Sequence, residues 1–163
     1  MPDVVLATSG GEPLHLGRLS SGLTLVFVYP HIGIAEGVSE SGWNAIPGAR
    51  GCTPEACGFR DHERELGELG ASIVGVSSQA LDEQRKAVQR HELGYPLASD
   101  PDMELATTLG LPTFETRGHR FYRRLTLVVR DGRVEHVFYP VFPPDRHAAE
   151  VVAWLAAGGM RNT

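Results

Sequence analysis

The chain has 163 residues, which is enough for one domain with a sizeable hydrophobic core. Its hydrophobic (42%) and charged (21%) fractions are ordinary for a soluble globular protein, and a net charge of −5 does not favour nucleic acid or an anionic membrane as a partner. The N-terminus has neither the basic region nor the apolar stretch of a signal peptide, and no apolar run approaches the roughly eighteen residues of a membrane span. The sequence therefore predicts a cytoplasmic protein without a membrane-spanning segment.

The first half of the sequence predicts two buried strands, separated by a long loop and a helix. A short strand at Leu14 to Leu16 precedes the near-continuous apolar run from Leu23 to Pro30, which is typical of a central strand buried on both faces. No helical or strand period is visible from His31 to Gly51, and a loop of this length inside a compact domain is often functional. With Thr53 as N-cap, a helix is expected to run to about Leu69, before a second buried strand at Ala71 to Ser77.

The second half alternates helices with strands. The amphipathic pattern of residues Ser78 to Leu93 predicts a helix. Residues Tyr95 to Gly110 are predicted to form a short strand, a turn and a helix of about two turns. The Asp131-Gly132 pair predicts a hairpin between two further strands, and Asp145 is expected to open the last helix. This order of elements predicts an α/β fold, with helices packed on a mixed sheet, in one domain over residues 1–163.

Both cysteines of the chain, Cys52 and Cys57, lie in the segment GCTPEACGFRD. Cys52 stands where the long loop meets the helix, and the free N–H groups of a helix start favour a thiolate, so a lowered pKa is expected for Cys52. Residues five apart on a helix have Cα atoms about 8.7 Å apart. A disulfide spans no more than about 7 Å between Cα atoms. A bond between these two cysteines therefore requires the first turns of the helix to unwind.

The residues themselves leave other roles open for the cysteine pair. Free cysteines are commonly buried as small apolar side chains, without any chemical function. Zinc binding is disfavoured, because the histidines are scattered and no Cys/His group has the paired spacing of a structural site. In a protein expected to be cytoplasmic, such a pair is more often catalytic or redox-sensing than a structural disulfide.

Five stretches between about residues 22 and 155 carry a family resemblance; they are LVFVYP, GCTPEACGFRDH, IVGVS, YPLASDPDMELATTLGL and RRLTLVVRDGRV. The chain resembles the peroxiredoxins, in particular the peroxiredoxin Q or bacterioferritin comigratory protein group of the AhpC/TSA superfamily. The second stretch is the most specific, since this group shows a peroxidatic cysteine, Thr, x, Glu, Ala and a resolving cysteine in that order. The resemblance implies a thioredoxin-like fold, with a central mixed β-sheet flanked by helices.

The same resemblance implies roles for three residues. Cys52 corresponds to the peroxidatic nucleophile, Cys57 to the resolving thiol on the same helix, and Arg124 to the guanidinium near the thiolate. Arg123 is adjacent, but strand alternation sends the two arginines to opposite faces, and the family register favours Arg124. No cofactor and no metal site are implied.

The implied function is a thiol-dependent peroxidase, an atypical two-cysteine peroxiredoxin. The Cys52 thiolate would attack hydrogen peroxide or an organic hydroperoxide and become a sulfenic acid. Cys57 would then form an intramolecular disulfide with it, and thioredoxin or a similar dithiol would reduce that bond. Neither nucleic acid nor a membrane is an expected partner.

The chain departs from the family motif Pro-x-x-x-Thr-x-x-Cys. Ala45 and Ala49 occupy the Pro and Thr positions, and an insertion of roughly His31 to Ile46 splits the motif, leaving Pro47 as a stand-in for the proline. Trp43 in this insertion is expected to be a hydrophobic plug, with a lid over the thiol as the alternative. A donor that replaces the Thr hydroxyl is expected among four residues: Ser39, Ser41, Arg50 and Thr53. The lost hydroxyl and the insertion favour the alternative function, a thiol redox switch or sensor with little peroxidase activity.

Overall fold

A central sheet of seven strands organises the computed structural model, which describes residues 1–19, 22–33 and 38–159. Its strands are β1 Val5–Thr8, β2 Leu14–His15, β3 Leu23–Val28, β4 Ala71–Ser77, β5 Leu97–Ser99, β8 Leu125–Arg130 and β9 Arg133–Phe138. The strand order is β2-β1-β5-β4-β3-β8-β9; β3, β4 and β5 run parallel, and the remaining pairs are antiparallel. The sheet is therefore mixed, as the sequence predicts. A separate hairpin joins β6 Thr113–Thr116 to β7 His119–Tyr122.

Helices cover both faces of this sheet. On one face Phe59 and Val151, from two different helices, join Leu25 and Phe27 of β3 in the larger core cluster. On the other face Leu105 packs with the alternate residues of β3. The helices are α1 Glu40–Asn44, α2 Cys52–Asp61, α3 Glu63–Glu68, α4 Leu81–Arg90, α5 Glu104–Leu109 and α6 His147–Ala156. None of those in the described ranges is long and apolar enough to cross a bilayer.

Several chain segments that lie near Cys52 meet at one edge of the sheet. Val28 at the end of β3 pairs with Leu125 at the start of the antiparallel strand β8. The segment after β3 and the residue before β8, which is Arg124, therefore meet at the same edge. Because β4 is parallel to β3, the chain that follows Ser77 emerges at this edge as well.

The helix predicted from Thr53 to Leu69 begins earlier and is interrupted. α2 begins at Cys52, and Gly51 is its N-cap, so the prediction of Thr53 as N-cap is wrong. Gly51 has a left-handed φ of 105°, and a Cβ there would lie 2.5 Å from Cγ of Pro144, so only glycine fits. The helix ends at Asp61, and α3 starts after His62.

Some elements were not anticipated by the sequence patterns. The predicted loop from His31 to Gly51 contains α1, whose N-cap Ser39 accepts a hydrogen bond from the Gly42 N–H at 3.0 Å; residues 34–37 of the insertion lie outside the described ranges. Strand β1 and the β6–β7 hairpin were also missed. The last helix begins with a 3₁₀ turn at Pro144–Arg146, so Asp145 precedes the α-helix proper.

Candidate active site

Cys52 is the first residue of α2, and its side chain is buried (3% exposed). Two N–H groups point at its sulfur: Nη2 of Arg124 lies 3.2 Å from Sγ, and the main-chain nitrogen of His31 lies 3.5 Å from it. The thiol itself is 3.7 Å from the carbonyl oxygen of Ala49, to which it can donate. The sulfur therefore lies among groups that can hold a negative charge and one that can accept its proton.

Arg124 is buried and connects this sulfur to the loop before α2. Its Nη1 donates to Oε1 of Glu55 at 2.7 Å. Its Nη2 also lies 3.1, 3.3 and 3.0 Å from the carbonyl oxygens of Gly48, Ala49 and Arg50. An NH2 group of guanidinium has only two hydrogens, so the sulfur competes with these carbonyls for them. A thiolate is the acceptor that carries a full charge, and hydrogen bonds to charged groups are the stronger ones.

The neighbouring arginine lies elsewhere. The guanidinium of Arg123 stands over the ring of Phe114, 5.5 Å from its centroid. Arg124 is thus the arginine that contacts the Cys52 sulfur, while Arg123 packs on an aromatic side chain.

Burial dominates the electrostatics of Cys52. It raises the pKa of the Cys52 thiol; the charge of Arg124 and the His31 amide oppose the rise, while Glu55 adds to it. The lowered pKa expected for Cys52 is therefore wrong, because burial has a larger effect than the opposing charge of Arg124 and the His31 amide. Burial likewise raises the pKa of Glu55 to about 7, against the opposing effect of Arg124. One guanidinium serves two buried acids, so their ionisations are coupled.

Three buried side-chain nitrogen or oxygen atoms lack a hydrogen-bond partner in the described part of the chain, and all three belong to this neighbourhood. They are Nδ1 of His31, Oε2 of Glu55 and Nε of Arg124. Buried polar atoms are rarely left unpaired in native proteins, and exceptions usually have a functional reason. Their clustering marks the region round Cys52 as the candidate active site.

A cavity of about 170 Å³ borders Cys52. This volume is well above the roughly 10–15 Å³ that admits one water molecule, so a small molecule fits beside the sulfur. Its wall includes His31, Trp43, Arg50, Thr53 and Pro54. Of the four residues considered as substitutes for the motif hydroxyl, only Arg50 and Thr53 line this cavity.

The other candidate donors and the motif stand-in lie away from the cavity wall. Ser39 caps α1, and its Oγ is 3.5 Å from that of Ser41 on the exposed side. Ala49, at the Thr position of the motif, is fully buried in the cluster of Trp43, Phe114 and Phe121. Pro47 is exposed in the wall of a separate cavity of about 560 Å³.

Trp43 packs the inserted segment against the rest of the protein. Its side chain is 2% exposed and packs in a cluster with Ala49, Phe114 and Phe121. The ring centroid of Trp43 lies 5.2 Å from that of Phe121, with the rings nearly perpendicular. Trp43 is therefore a hydrophobic plug, and the same ring forms part of the cavity wall beside Cys52.

Cys57 lies in the second turn of α2 and is half-buried. Both cysteines are free, and the helix is continuous between them, so bond formation requires local unwinding. A neighbour restrains that part of the helix: Tyr95 Oη donates to the carbonyl oxygen of Ala56 at 2.6 Å. The hydroxyl thus fixes a peptide group immediately before Cys57.

Two residues of the site were not assigned by sequence reasoning. Glu55 stands inside the GCTPEAC stretch, and its spacing from Cys52 places both on one helix face; this signal was available. His31 carries no local signal, because its position depends on the end of β3 and on the insertion that it begins.

Comparison with known proteins shows the family of the chain. The sequence profile named Redoxin matches residues 1–153, so the chain belongs to the redoxin family. Peroxiredoxin Bcp of Escherichia coli (strain K12) is 27% identical over 158 residues, which cover 94% of this chain and 91% of that protein. The crystal structure of peroxidoxin BcpB from Mycobacterium tuberculosis is 32% identical, with a TM-score of 0.75, over 96% of this chain and 94% of that one. Peroxiredoxin Q of Xanthomonas campestris shares the fold, with a TM-score of 0.76 at 24% identity over 96% and 92% of the two chains.

These relatives confirm the predicted resemblance to the peroxiredoxin Q or bacterioferritin comigratory protein group, and with it the thioredoxin-like fold. They also support an enzyme, a thiol peroxidase that acts on a hydroperoxide and draws on a reductant.

Proposed function

We propose that the protein reduces hydrogen peroxide and organic hydroperoxides, with Cys52 as the nucleophile, Cys57 as the resolving thiol and Arg124 as the stabilising cation. The observation that carries the proposal is the approach of Arg124 Nη2 to within 3.2 Å of the Cys52 sulfur, beside a cavity that admits a small molecule. A study of the Xanthomonas campestris bacterioferritin comigratory protein, which shares the fold, concerns its alkyl peroxide reduction activity. That activity of a relative supports organic hydroperoxides as substrates of this protein.

In the first step the Cys52 thiolate attacks one peroxide oxygen. The S–O bond forms as the O–O bond breaks, so the sulfur is oxidised to a sulfenic acid and the other oxygen leaves as water or an alcohol once protonated. Negative charge moves from sulfur to the leaving oxygen. Arg124 and the His31 amide, which already face the sulfur, are placed to stabilise it.

In the second step the Cys57 thiol attacks the sulfenic sulfur and water leaves, which gives an intramolecular disulfide. This step needs the first turns of α2 to unwind, including the Glu55 N–H to Gly51 carbonyl hydrogen bond of 3.0 Å. A dithiol such as thioredoxin then restores both thiols by exchange. We place this cycle in the cytoplasm, in a single domain formed by residues 1–163.

The thiol-switch alternative is not favoured. The relatives that cover nearly the whole chain are named peroxiredoxin or peroxidoxin. The hydroxyl lost at Ala49 would weaken the site by about one hydrogen bond, or about 0.5–1.5 kcal/mol, which slows a reaction without abolishing it.

A coupled assay tests the proposal. Peroxide consumption is followed with thioredoxin and its reductase, or with a small dithiol, for the wild type, Cys52→Ser and Cys57→Ser. Cys52→Ser should be inactive with either reductant, whereas Cys57→Ser should keep activity with the small dithiol and lose it with thioredoxin. Turnover by Cys52→Ser would contradict the assignment of the nucleophile. Wild-type activity with the small dithiol alone would reject thioredoxin as the reductant and leave the peroxidase chemistry intact.

A further inference from the structure

The His31 main-chain amide that faces the Cys52 sulfur belongs to an irregular segment that follows β3. Tyr29, the first residue after the strand, still donates its N–H to the Val76 carbonyl oxygen of β4 at 3.0 Å. No helix or strand includes residues 30–33, which all lie in the described ranges. A hydrogen bond weakens steeply as its geometry departs from linear, so the groups that hold this segment determine how well the amide serves the sulfur.

The side chain of Gln79 holds the residue next to His31. Gln79 follows β4 and is buried. Its Oε1 accepts from the Ile32 N–H at 2.8 Å, and its Nε2 donates to the Ile32 carbonyl oxygen at 3.2 Å. One planar amide therefore engages both main-chain polar groups of Ile32. Two bonds from one rigid group fix the orientation of this main chain as well as its position.

Gln79 is itself held by the ends of two strands. Its main-chain N–H donates to Oγ of Ser77, the last residue of β4, at 3.2 Å. Its carbonyl oxygen accepts from Oγ of Ser99, the last residue of β5, at 2.5 Å. Its Nε2 also donates to Oε2 of Glu83 at 3.4 Å, so both hydrogens of the amide have acceptors. Gln79 thus connects the rigid sheet to the irregular segment.

A second glutamine holds the segment on the other side of His31. The Tyr29 hydroxyl donates to Oε1 of Gln84, and both side chains are fully buried. Nε2 of Gln84 donates to Ser77 Oγ at 2.8 Å and to the Ala98 carbonyl oxygen at 2.9 Å. Fully bonded polar networks of this kind make the interior rigid. Gln84 reaches the segment only through a side-chain hydroxyl, however, whereas Gln79 bonds to the main chain itself.

We propose that Gln79 is a positioning residue of this site, which keeps the His31 main-chain N–H directed at the Cys52 sulfur. Its role rests on the peroxidase function proposed above, and it acts through the main chain of residues 31 and 32. The His31 amide lowers the pKa of the Cys52 thiol against the larger effect of burial. Loss of the two bonds to Ile32 would let that amide turn away, and the thiolate would lose one of its donors.

The neutrality of Gln79 makes the proposal open to a clean test. The titratable groups that interact with the sulfur are Tyr29, Glu55 and Arg124, and those that line its cavity are His31, Glu40 and Arg50. A neutral replacement of Gln79 leaves all of these groups in place. A change in the pKa of Cys52 then reports the geometry of a donor and not the loss of a charge.

The test measures the pKa of Cys52 from the pH dependence of its alkylation by iodoacetamide, from pH 6 to pH 10. Cys57→Ser is the background, so that a single thiol reacts. Gln79→Met has a similar length without hydrogen-bonding groups, and it should raise the pKa of Cys52 by about one unit, as expected when a hydrogen bond to a charged group is lost. Below that pKa, both alkylation and sulfenic acid formation should be about tenfold slower, because the thiolate fraction falls tenfold per unit.

Two further variants complete the series. Gln79→Asn keeps an amide that is one carbon too short to reach both groups of Ile32, and its pKa should fall between those of the other two proteins. Gln89→Met replaces an exposed glutamine of α4, and it is the matched control that should behave like the Cys57→Ser background.

The outcomes separate this inference from the proposed function. A Gln79→Met protein that unfolds more readily, with the pKa of Cys52 unchanged, would overturn the positioning role, because a merely structural glutamine predicts that result. If Gln79→Met does not fold, Gln79→Asn decides: a raised pKa supports the role, and an unchanged one overturns it. A wild type that reacts with peroxide no faster than free cysteine would reject the peroxidase, while the alkylation profile would still decide whether Gln79 positions the amide.

Discussion

The two cysteines of α2 are five residues apart, yet their surroundings differ in kind. The sulfur of Cys52 is buried and lies near groups from separate parts of the chain: the segment after β3, the loop before α2 and the residue before β8. Cys57 is half-buried, and its nearest restraint is a hydrogen bond from Tyr95 to the preceding peptide. In the proposed mechanism this contrast corresponds to two different roles. The surroundings of Cys52 would stabilise charge during attack on the peroxide, whereas Cys57 would only have to become free to move.

The division implies that changes around Cys52 affect sulfenic acid formation, and changes around Cys57 affect disulfide formation. Substitutions at the two ends of the helix should therefore change different steps of the reaction.

Arg124→Ala should slow sulfenic acid formation about 10²- to 10³-fold, as expected when a donor to developing charge is removed. The loss should exceed that of any single Ser-to-Ala change between His31 and Ile46. Rapid mixing with peroxide measures both. Arg123→Ala is the matched control, since Arg123 stacks on Phe114 and should be nearly neutral.

Because Arg124→Ala leaves the Glu55 carboxylate buried without its cation, the variant must first be shown to fold, by circular dichroism. Arg124→Lys keeps the charge and should fall between the wild type and Arg124→Ala. An equal loss from Arg123→Ala would show that the effect comes from the strand and not from the contact with sulfur.

A second prediction concerns acid stability on the Cys52 side. His147 is buried, and its Nε2 forms a 2.7 Å hydrogen bond with Thr126 Oγ1; burial, with a contribution from Arg124, lowers its pKa to about 4. An unfolded histidine titrates near 6.5, so the unfolded state takes up the proton first as the pH falls. The stabilising effect of the neutral ring is complete above about pH 6.5 and is lost progressively down to pH 4, by about 3 kcal/mol.

Urea unfolding at pH 7 and pH 4.5 measures this difference. His147→Gln should lose less stability than the wild type over that interval. The raised pKa of Glu55 acts in the opposite direction, since a raised folded pKa gives stability that is present at low pH and lost as the pH rises through about 7. Glu55 is common to both proteins, so their difference isolates His147; parallel pH dependences would contradict the prediction.

The smallest expected effect lies on the Cys57 side. Tyr95→Phe removes the hydrogen bond to the Ala56 carbonyl, worth about 0.5–1.5 kcal/mol. The helix should then unwind more readily, and conversion of sulfenic acid to disulfide should be about three- to tenfold faster. Quenched-flow mass spectrometry follows the two steps separately. A change in the first step, or none in the second, would break the proposed separation between the two ends of the helix.

Local sequence signals explain which parts of this structure could be foreseen. Strands β3 and β4 are continuous apolar runs, and the turn between β8 and β9 is an Asp-Gly pair in which both residues have positive φ (49° and 82°). The β6–β7 hairpin was missed because its turn is Arg117-Gly118, where a bulky residue takes φ 54°. A left-handed arginine has no sequence signature.

The chemistry of the site was foreseen only in part, for a similar reason. The motif around Cys52 consists of residues that are close together in sequence. The assignment of Arg124 follows from the family resemblance. The direction of the Cys52 pKa depends instead on packing, since Trp43 and the insertion help to seal the site. The roles of Glu55 and His31 likewise depend on contacts between distant segments. Burial of a charge is a tertiary property that no local pattern reports.

The central claim is that peroxide oxidises Cys52 first and that Cys57 of the same chain then closes the disulfide. The most direct measurement is quenched-flow mass spectrometry of dilute reduced protein mixed with one equivalent of hydrogen peroxide, with peptide mapping of each time point. We expect one added oxygen on the Cys52 peptide, formed much faster than with free cysteine, followed by an intramolecular bond to Cys57. First oxidation of Cys57, bridges only between chains, or a rate no greater than that of free cysteine would contradict the account.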